Sequence, residues 1–310
     1  MEIELAQFYA RLGAIGLIMA LGFLLGKLKL ISDKTNRELT NLLLTVFMPA
    51  SLFVAFPSEY DAASANLFFS GLLAGVIVML SLIIFAKIIF NKSWMKGDLH
   101  AEAQFALIFN NATFLGYPIV ASTFGPGGIL AYCGFIIAFN IALFSYGIWL
   151  FEKKITVKLL LSIITNPNII AVILGMMLFL LGIHLPSFIT DAVSYVGGAT
   201  TPLSIICIGY MLSQAKLLRV FRKWRLMLTA IIQLILGPVL TWGFLTLLHF
   251  PAEVIQVCTL IQALPTATSL GLFAVKYGGN AAESSELVTI STVFSVATMP
   301  LMVFLLLGTM

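Results

Sequence analysis

Residues 103–125 read AQFALIFNNATFLGYPIVASTFG, and this stretch decides the fold. It is apolar enough to sit in a bilayer. Near its middle, where a plain spanning helix carries leucine and valine, it has Asn110, Asn111, Gly116 and Pro118. Pro118 lacks a backbone donor and crowds the turn before it, and Gly116 loosens the helix beside it. Polar, irregular backbone at membrane depth is tolerated only where protein buries it or it lines a cavity. A helix broken at the midplane is how many secondary transporters build a substrate site. The stretch predicts one half of such a site, with the second half elsewhere in the chain.

Composition agrees. Of 310 residues, 60% are hydrophobic and only 10% charged, where a soluble domain carries roughly 25%. The chain reads as an all-α polytopic membrane protein. Met1–Gln7 carries Glu2 and Glu4 and lacks the basic start of a cleaved signal peptide, so the first apolar run is expected to be a retained span. The net charge of +4 says little about partners, and nothing points to nucleic acid. Cys133, Cys207 and Cys258 lie singly in apolar runs and read as small hydrophobes.

Ten spans of near-bilayer length are expected. They are Phe8–Lys27, Asn36–Phe56, Leu67–Phe90, Ala101–Phe124, Gly128–Leu150, Asn168–Ile183, Ala192–Ser213, Leu226–Leu248, Ala252–Tyr277 and Glu286–Leu307. All but one of the 17 Lys and Arg fall after odd-numbered spans, counting the span ends; the exception is Arg11. By the positive-inside rule those loops are cytosolic and both termini lie on the non-cytosolic side of a plasma (inner) membrane. The Lys216–Arg225 loop, with Trp224, reads as an interfacial linker that touches anionic lipid.

An internal repeat follows at an offset of 153 residues: Phe124-Gly125 with Tyr277-Gly278, Pro49 with Pro202, and Asn111-Ala112 with Leu264-Pro265. One repeat is five spans. Five is odd, so the copies are inverted: residues 1–152 and 168–310, joined by a cytosolic linker at 153–167. The second half of the site is then IQALPTATSLGLFAVKYGG, residues 261–279, broken at Pro265. The broken helices four and nine are expected to cross at the midplane, with new half-helices starting near Ala112 and near Thr266. Their unpaired N–H groups favour an anion without a buried Lys or Arg.

The residues at this crossing resemble those of a known family. Asn111-x4-Gly116-x-Pro118 with Phe124-Gly125 is similar to the crossover motif of the auxin efflux carrier family, the PIN-like transporters. Gln262-Ala263-Leu264-Pro265, with Phe273-Ala274 and Lys276-Tyr277, resembles the partner motif of the second repeat. The resemblance covers essentially the whole chain. It implies a scaffold of spans one, two, six and seven, often homodimeric, and a transport unit of spans three to five and eight to ten. It further implies elevator-type alternating access. Plant efflux members carry a long hydrophilic loop between the repeats and usually proline where this chain has Asn110. The short connection here leans to the bacterial branch, which is associated with carboxylates such as malate or malonate.

The substrate-binding candidates are Asn110, Asn111, Thr113, Gln262, Pro265, Thr266 and Thr268, with Asn140 and Ser295 at nearly equivalent positions. Each has a blander reading. An amide glues two helices, and a hydroxyl bonds back to its own turn. Helix-break and hinge candidates are Gly116, Pro118, Pro265, Pro49 and Pro202. Gly22-x3-Gly26 and Gly71-x3-Gly75 suggest close helix contacts.

No carboxylate falls at mid-depth, so no proton relay is apparent, and a sodium site built from neutral oxygens stays open. No cofactor or metal is expected. No nucleophile, base or ligand constellation suggests an enzyme. The expectation is a carrier of a small organic anion. The alternatives are a sodium-coupled organic-anion symporter of bile-acid-symporter type, and a membrane sensor that binds without transporting.

Overall fold

The computed structural model describes residues 5–57, 59–91, 99–153, 161, 164–214 and 223–307. Of the described residues, 85% are helical. In chain order the helices are α1 (Leu5–Lys27), α2 (Asp33–Leu42), α3 (Met48–Phe53), α4 (Ala62–Ile89), α5 (Leu99–Ile108), α6 (Tyr117–Ala142) and α7 (Ile148–Glu152). Then come α8 (Pro167–Leu181), α9 (Ser187–Gly198), α10 (Thr200–Gln214), α11 (Trp224–Leu247), α12 (Ala252–Gln262), α13 (Ser269–Tyr277) and α14 (Ala281–Leu307). Among the described residues, five helical stretches are long and apolar enough to cross a membrane: Ala62–Ile89, Ala112–Glu152, Ser187–Gln214, Trp224–Leu247 and Ala281–Leu306. Gly13–Lys27, Pro167–Leu181 and Ala252–Gln262 are shorter apolar helices. Leu80, Ile84 and Ile88 stand exposed along α4, as suits hydrocarbon contact. Of the expected loop cations, Lys92, Lys96, Lys154, Lys158, Lys216, Arg219 and Arg222 lie outside the described residues, as do Glu2 and Glu4.

Local chemistry sets the ends and the bends. Ser32 caps α2 by accepting from the Thr35 N–H, and Asp61 caps α4 by accepting from Ala63 and Ser64. Two π-helical turns, Leu43–Phe47 and Ala112–Gly116, stand just ahead of Pro49 and Pro118. A proline donates no N–H and crowds the carbonyl four residues back, and a widened turn accommodates both effects. So Pro118 does not break its helix; the break lies earlier. Pro202 sits in the first turn of α10, directly after the interruption at Ala199. The long stretch Ala112–Glu152 is sharply turned at Gly125, where φ is +65° and Pro126 follows. Gly278 closes α13 with φ +88°, at the repeat offset from Gly125. Lys29 (φ 59°) and Gly182 (φ 63°) form a second pair at that offset.

Close helix pairs pack through glycine, as the Gly-x3-Gly spacings suggested. A Cβ on Gly22 would overlap the Ile206 carbonyl, and one on Gly209 the Met19 carbonyl, so α1 lies directly on α10. A Cβ on Gly71 would overlap the Ala131 carbonyl and one on Gly134 the Phe68 carbonyl, so α4 lies directly on α6. Gly197 meets Ser51, whose hydroxyl donates to the Gly197 carbonyl at 2.6 Å. In a bilayer, where lipid is as apolar as leucine, such small-residue contacts supply the packing that hydrophobic burial does not.

Candidate functional site at the helix crossing

Helix α5 stops at Ile108, and the next turn begins at Ala112; α12 stops at Gln262, and α13 begins at Ser269. The two gaps run antiparallel to each other. The Asn111 N–H donates to the Pro265 carbonyl at 2.7 Å, and the Ala267 N–H to the Phe109 carbonyl at 2.9 Å. Asn110 and Thr266 face each other between those bonds. Backbone groups freed by two helix breaks would be costly in hydrocarbon, and here they satisfy one another. Side chains from neighbouring helices add to these bonds. Gln233 of α11 donates to the Leu264 carbonyl at 2.8 Å, and Tyr132 of α6 donates to the Ala112 carbonyl at 3.1 Å. The Thr266 N–H donates to Ser291 Oγ at 3.1 Å.

Asn111 occupies the N-cap of the first half-helix. Its Oδ1 accepts from the Phe114 N–H at 3.3 Å, while its carbonyl accepts from Leu115 and Gly116, both at 3.1 Å. Capping with Oδ1 leaves the side-chain NH₂, a pure donor, as the group to offer a ligand. Asn110 donates from Nδ2 to Gln262 Oε1 at 2.7 Å. Asn110 is 1% exposed, and its Oδ1 has no partner among the described residues. Turning both amides over keeps the bond and presents a donor in place of that acceptor, so the pair can serve either polarity.

A cavity of about 290 Å³ opens beside the crossing, lined by Asn110, Asn111, Thr113, Asn140, Thr268 and Ser269, and from other elements by Asn41, Thr45, Asn166 and Asn168. A second, of about 350 Å³, shares Leu44, Phe114, Thr268 and Ser269 with it and adds Asn36, Arg37 and Thr40. A third, of about 150 Å³, adjoins at Asn111 and Thr268. Among the described residues no Asp or Glu lines any of the three. The polar part of the crossing cavity's wall is therefore neutral amides and hydroxyls, set among apolar side chains such as Leu44, Phe139 and Leu143.

The structure thus brings five of the sequence candidates to the cavity: Asn110, Asn111, Thr113, Asn140 and Thr268. Pro265 enters through its carbonyl, which holds Asn111. Gln262 and Thr266 are buried at the crossing but line none of the three cavities; Gln262 braces Asn110, and Thr266 faces Ser291. Ser295 bonds back to the Thr292 carbonyl at 2.8 Å on α14 and lines none of them either. The second half-helix starts at Ser269 and not near Thr266. The Thr266 and Ala267 N–H groups, expected at a free helix start, are taken by Ser291 and Phe109. Gly116 packs beside Leu264 and Tyr132 with room for a methyl group, while Pro118, Pro49 and Pro202 line none of these cavities. Sequence reading missed Asn41, Thr45, Asn166 and Asn168. The Asn166-Pro167-Asn168 run was legible as a helix start, with Asn166 accepting from the Asn168 N–H, but not as a cavity wall. Among the described residues no group of three or more His, Cys, Asp or Glu is placed to hold a metal.

At the far end of this half-helix, Arg11 of α1 donates to the Ser122 carbonyl and, at 2.8 Å, to the Thr123 carbonyl. A guanidinium on the last carbonyls of a helix is favoured by charge as well as by hydrogen bonding. Arg11→Gln is expected to lower stability by about 1–2 kcal/mol, read as a fall in the thermal midpoint of detergent-purified protein. An unchanged midpoint would mean the contact adds nothing.

Apolar helices, paired breaks and a polar cavity at their crossing describe an integral membrane protein of the transporter class. A family model described as membrane transport protein matches residues 9–303. The chain belongs to that family, the auxin efflux carrier or PIN-like family. It is similar to the uncharacterized transporter YfdV of Escherichia coli, 24% identical over an alignment of 319 residues covering 97% of this chain and 98% of the relative. It is also similar to an uncharacterized transporter of Methanocaldococcus jannaschii, 22% identical over 293 residues covering 90% of this chain and 92% of the relative.

Proposed function

We propose that the protein is a secondary carrier that moves a small organic anion, a carboxylate of malate or malonate type or an auxin-like acid, through the crossing of spans four and nine. The observation that carries this reading is the cavity at the crossing, whose polar lining is amides and hydroxyls and, among the described residues, no carboxylate. The ligand would take hydrogen bonds from the Asn111 side chain, from Asn110 and from the hydroxyls of Thr113 and Thr268. Asn140 would complete the wall. Gln262, Pro265 and Thr266 would hold the break in shape without touching the ligand.

The ten-span, inverted-repeat arrangement is part of the proposal. Positive-φ residues recurring at the repeat offset favour it, and so does the pairing of helices. α4 packs on α6, and α11 on α14; likewise α1 packs on α10, and α3 on α8. Each partnership thus has a counterpart in the other repeat. On this reading spans one, two, six and seven form the scaffold, and a homodimer would form through them. Spans three to five and eight to ten would move past it in an elevator-type cycle. The termini would lie on the non-cytosolic side of the plasma membrane. All three cavities would then face the cytosol, because the basic ends of α1 and α2 lie on their side.

The test is transport by purified protein in liposomes, with malate, malonate and indole-3-acetate, in the presence and absence of sodium. A saturable current with any of these is the expected result, and its sodium dependence assigns the coupling ion. Silence across the panel, from protein that unfolds cooperatively on heating, would overturn the anion reading in favour of a sensor.

A further inference from the structure

We propose that Arg37 is the specificity residue that recruits the anion to the crossing; this rests on the carrier function above. Arg37 lines the 350 Å³ cavity that shares Leu44, Phe114, Thr268 and Ser269 with the crossing cavity. It heads one face of a helical run. Thr40, Asn41 and Leu44 stand three, four and seven residues on, the spacing of one helix face, and each lines one or both of those cavities. At 1.5 Å per residue this face climbs about 10 Å from Arg37 to the shared floor.

Among the described residues, Arg37 is also the single cationic side chain lining any of the three cavities around the crossing. Neither nearby acid is within ion-pair distance of Arg37. Asp33, one turn before, accepts from the Tyr210 hydroxyl at 2.8 Å, and Glu38 faces Lys34 at 3.9 Å. No described carboxylate forms an ion pair with Arg37. An exposed guanidinium at the mouth of a cavity without carboxylates, narrowed by protein walls, concentrates anions there. It also pairs with a carboxylate through two parallel hydrogen bonds. The amides and the half-helix start of the floor supply hydrogen bonds and partial charge, and Arg37 supplies the full positive charge that distinguishes an anion from a neutral molecule.

The experiment measures, in liposomes, the half-saturating concentration of whichever of malate, malonate and indole-3-acetate gives the largest wild-type current. It does so at ionic strengths from about 0.05 to about 0.5 M, across which screening lengths shrink severalfold. Arg37→Gln is expected to raise half-saturation about tenfold at low salt and to flatten its salt dependence. Arg37→Lys, which keeps the charge, is expected to keep the salt dependence. Half-saturation in Arg37→Gln within twofold of wild type, or an unaltered salt dependence in that variant, would overturn the proposal. A wild-type protein with no anion current overturns the carrier reading itself, a result visible before any variant is made.

Discussion

Asn111→Asp is expected to leave the protein folded with a near-wild-type thermal midpoint and to reduce anion transport at least 100-fold. The two halves of that expectation come from two roles of one side chain. As N-cap, Asn111 accepts from the Phe114 N–H, and aspartate caps a helix as well as asparagine does. As cavity wall, it stands where the anion's charge would rest. The substitution exchanges a donor for a second negative charge. At about 4 Å and an effective dielectric of about 20, two like charges repel by about 4 kcal/mol, enough to suppress binding by two to three orders of magnitude. Asn111→Ala is the complementary variant. It loses the cap, at about 1 kcal/mol, together with the donor, so both midpoint and transport fall. A residue that only capped the half-helix would give the opposite ranking, with aspartate active and alanine impaired. Wild-type transport by Asn111→Asp would therefore remove Asn111 from the site and leave it a structural cap.

The broken middle of residues 103–125 was legible because its physics is local. Amides, glycine and proline in an apolar run conflict with an uninterrupted span whatever surrounds them. The partner break at Pro265 was legible through the repeat offset. What stayed hidden depends on which groups meet across elements. Nothing near Thr266 signals that its N–H goes to Ser291 of α14, or that Ala267 donates to Phe109. Without those partners a helix restart at Thr266 was the natural reading, three residues early. Gln262 had the same ambiguity, and its contact with Asn110 makes it a brace. Asn41, Asn166 and Asn168 sit near the ends of expected spans, where an amide reads as solvated. Only the tertiary arrangement turns those ends towards the crossing cavity. Arg37, at the start of the expected span Asn36–Phe56, counts in the sequence only as one of the cytosolic charges, for the same reason.

Gly134→Ala is expected to destabilise the protein by about 2–4 kcal/mol, with folded yield largely lost, whereas Gly116→Ala is expected to change stability by no more than about 1 kcal/mol. Nearness to the site would rank them the other way, since Gly116 adjoins Leu264 at the crossing and Gly134 lies out on α6. The contacts decide. A Cβ at position 134 would overlap the Phe68 carbonyl and stand 2.5 Å from the Leu72 N–H nitrogen. Both are backbone atoms of α4, so no rotamer change relieves them and the helices must separate. A Cβ at position 116 would meet the Leu264, Tyr132 and Ala112 side chains, at 3.4, 3.6 and 3.7 Å, ordinary contact distances, and alanine favours helix over glycine by about 1 kcal/mol. Because Gly71 seats α4 against the Ala131 carbonyl in the reciprocal direction, separation at one glycine strips packing from the other. This seam also bears on the proposed mechanism. An elevator needs spans three and five to move as one body with the crossing, and Tyr132, on α6 two residues before Gly134, holds the Ala112 carbonyl at the first break. Purification yield and thermal midpoint of the two variants test this directly. Gly134→Ala with a wild-type midpoint would mean that α4 can ride away from α6 without cost, and spans three and five would then be no rigid support for the site.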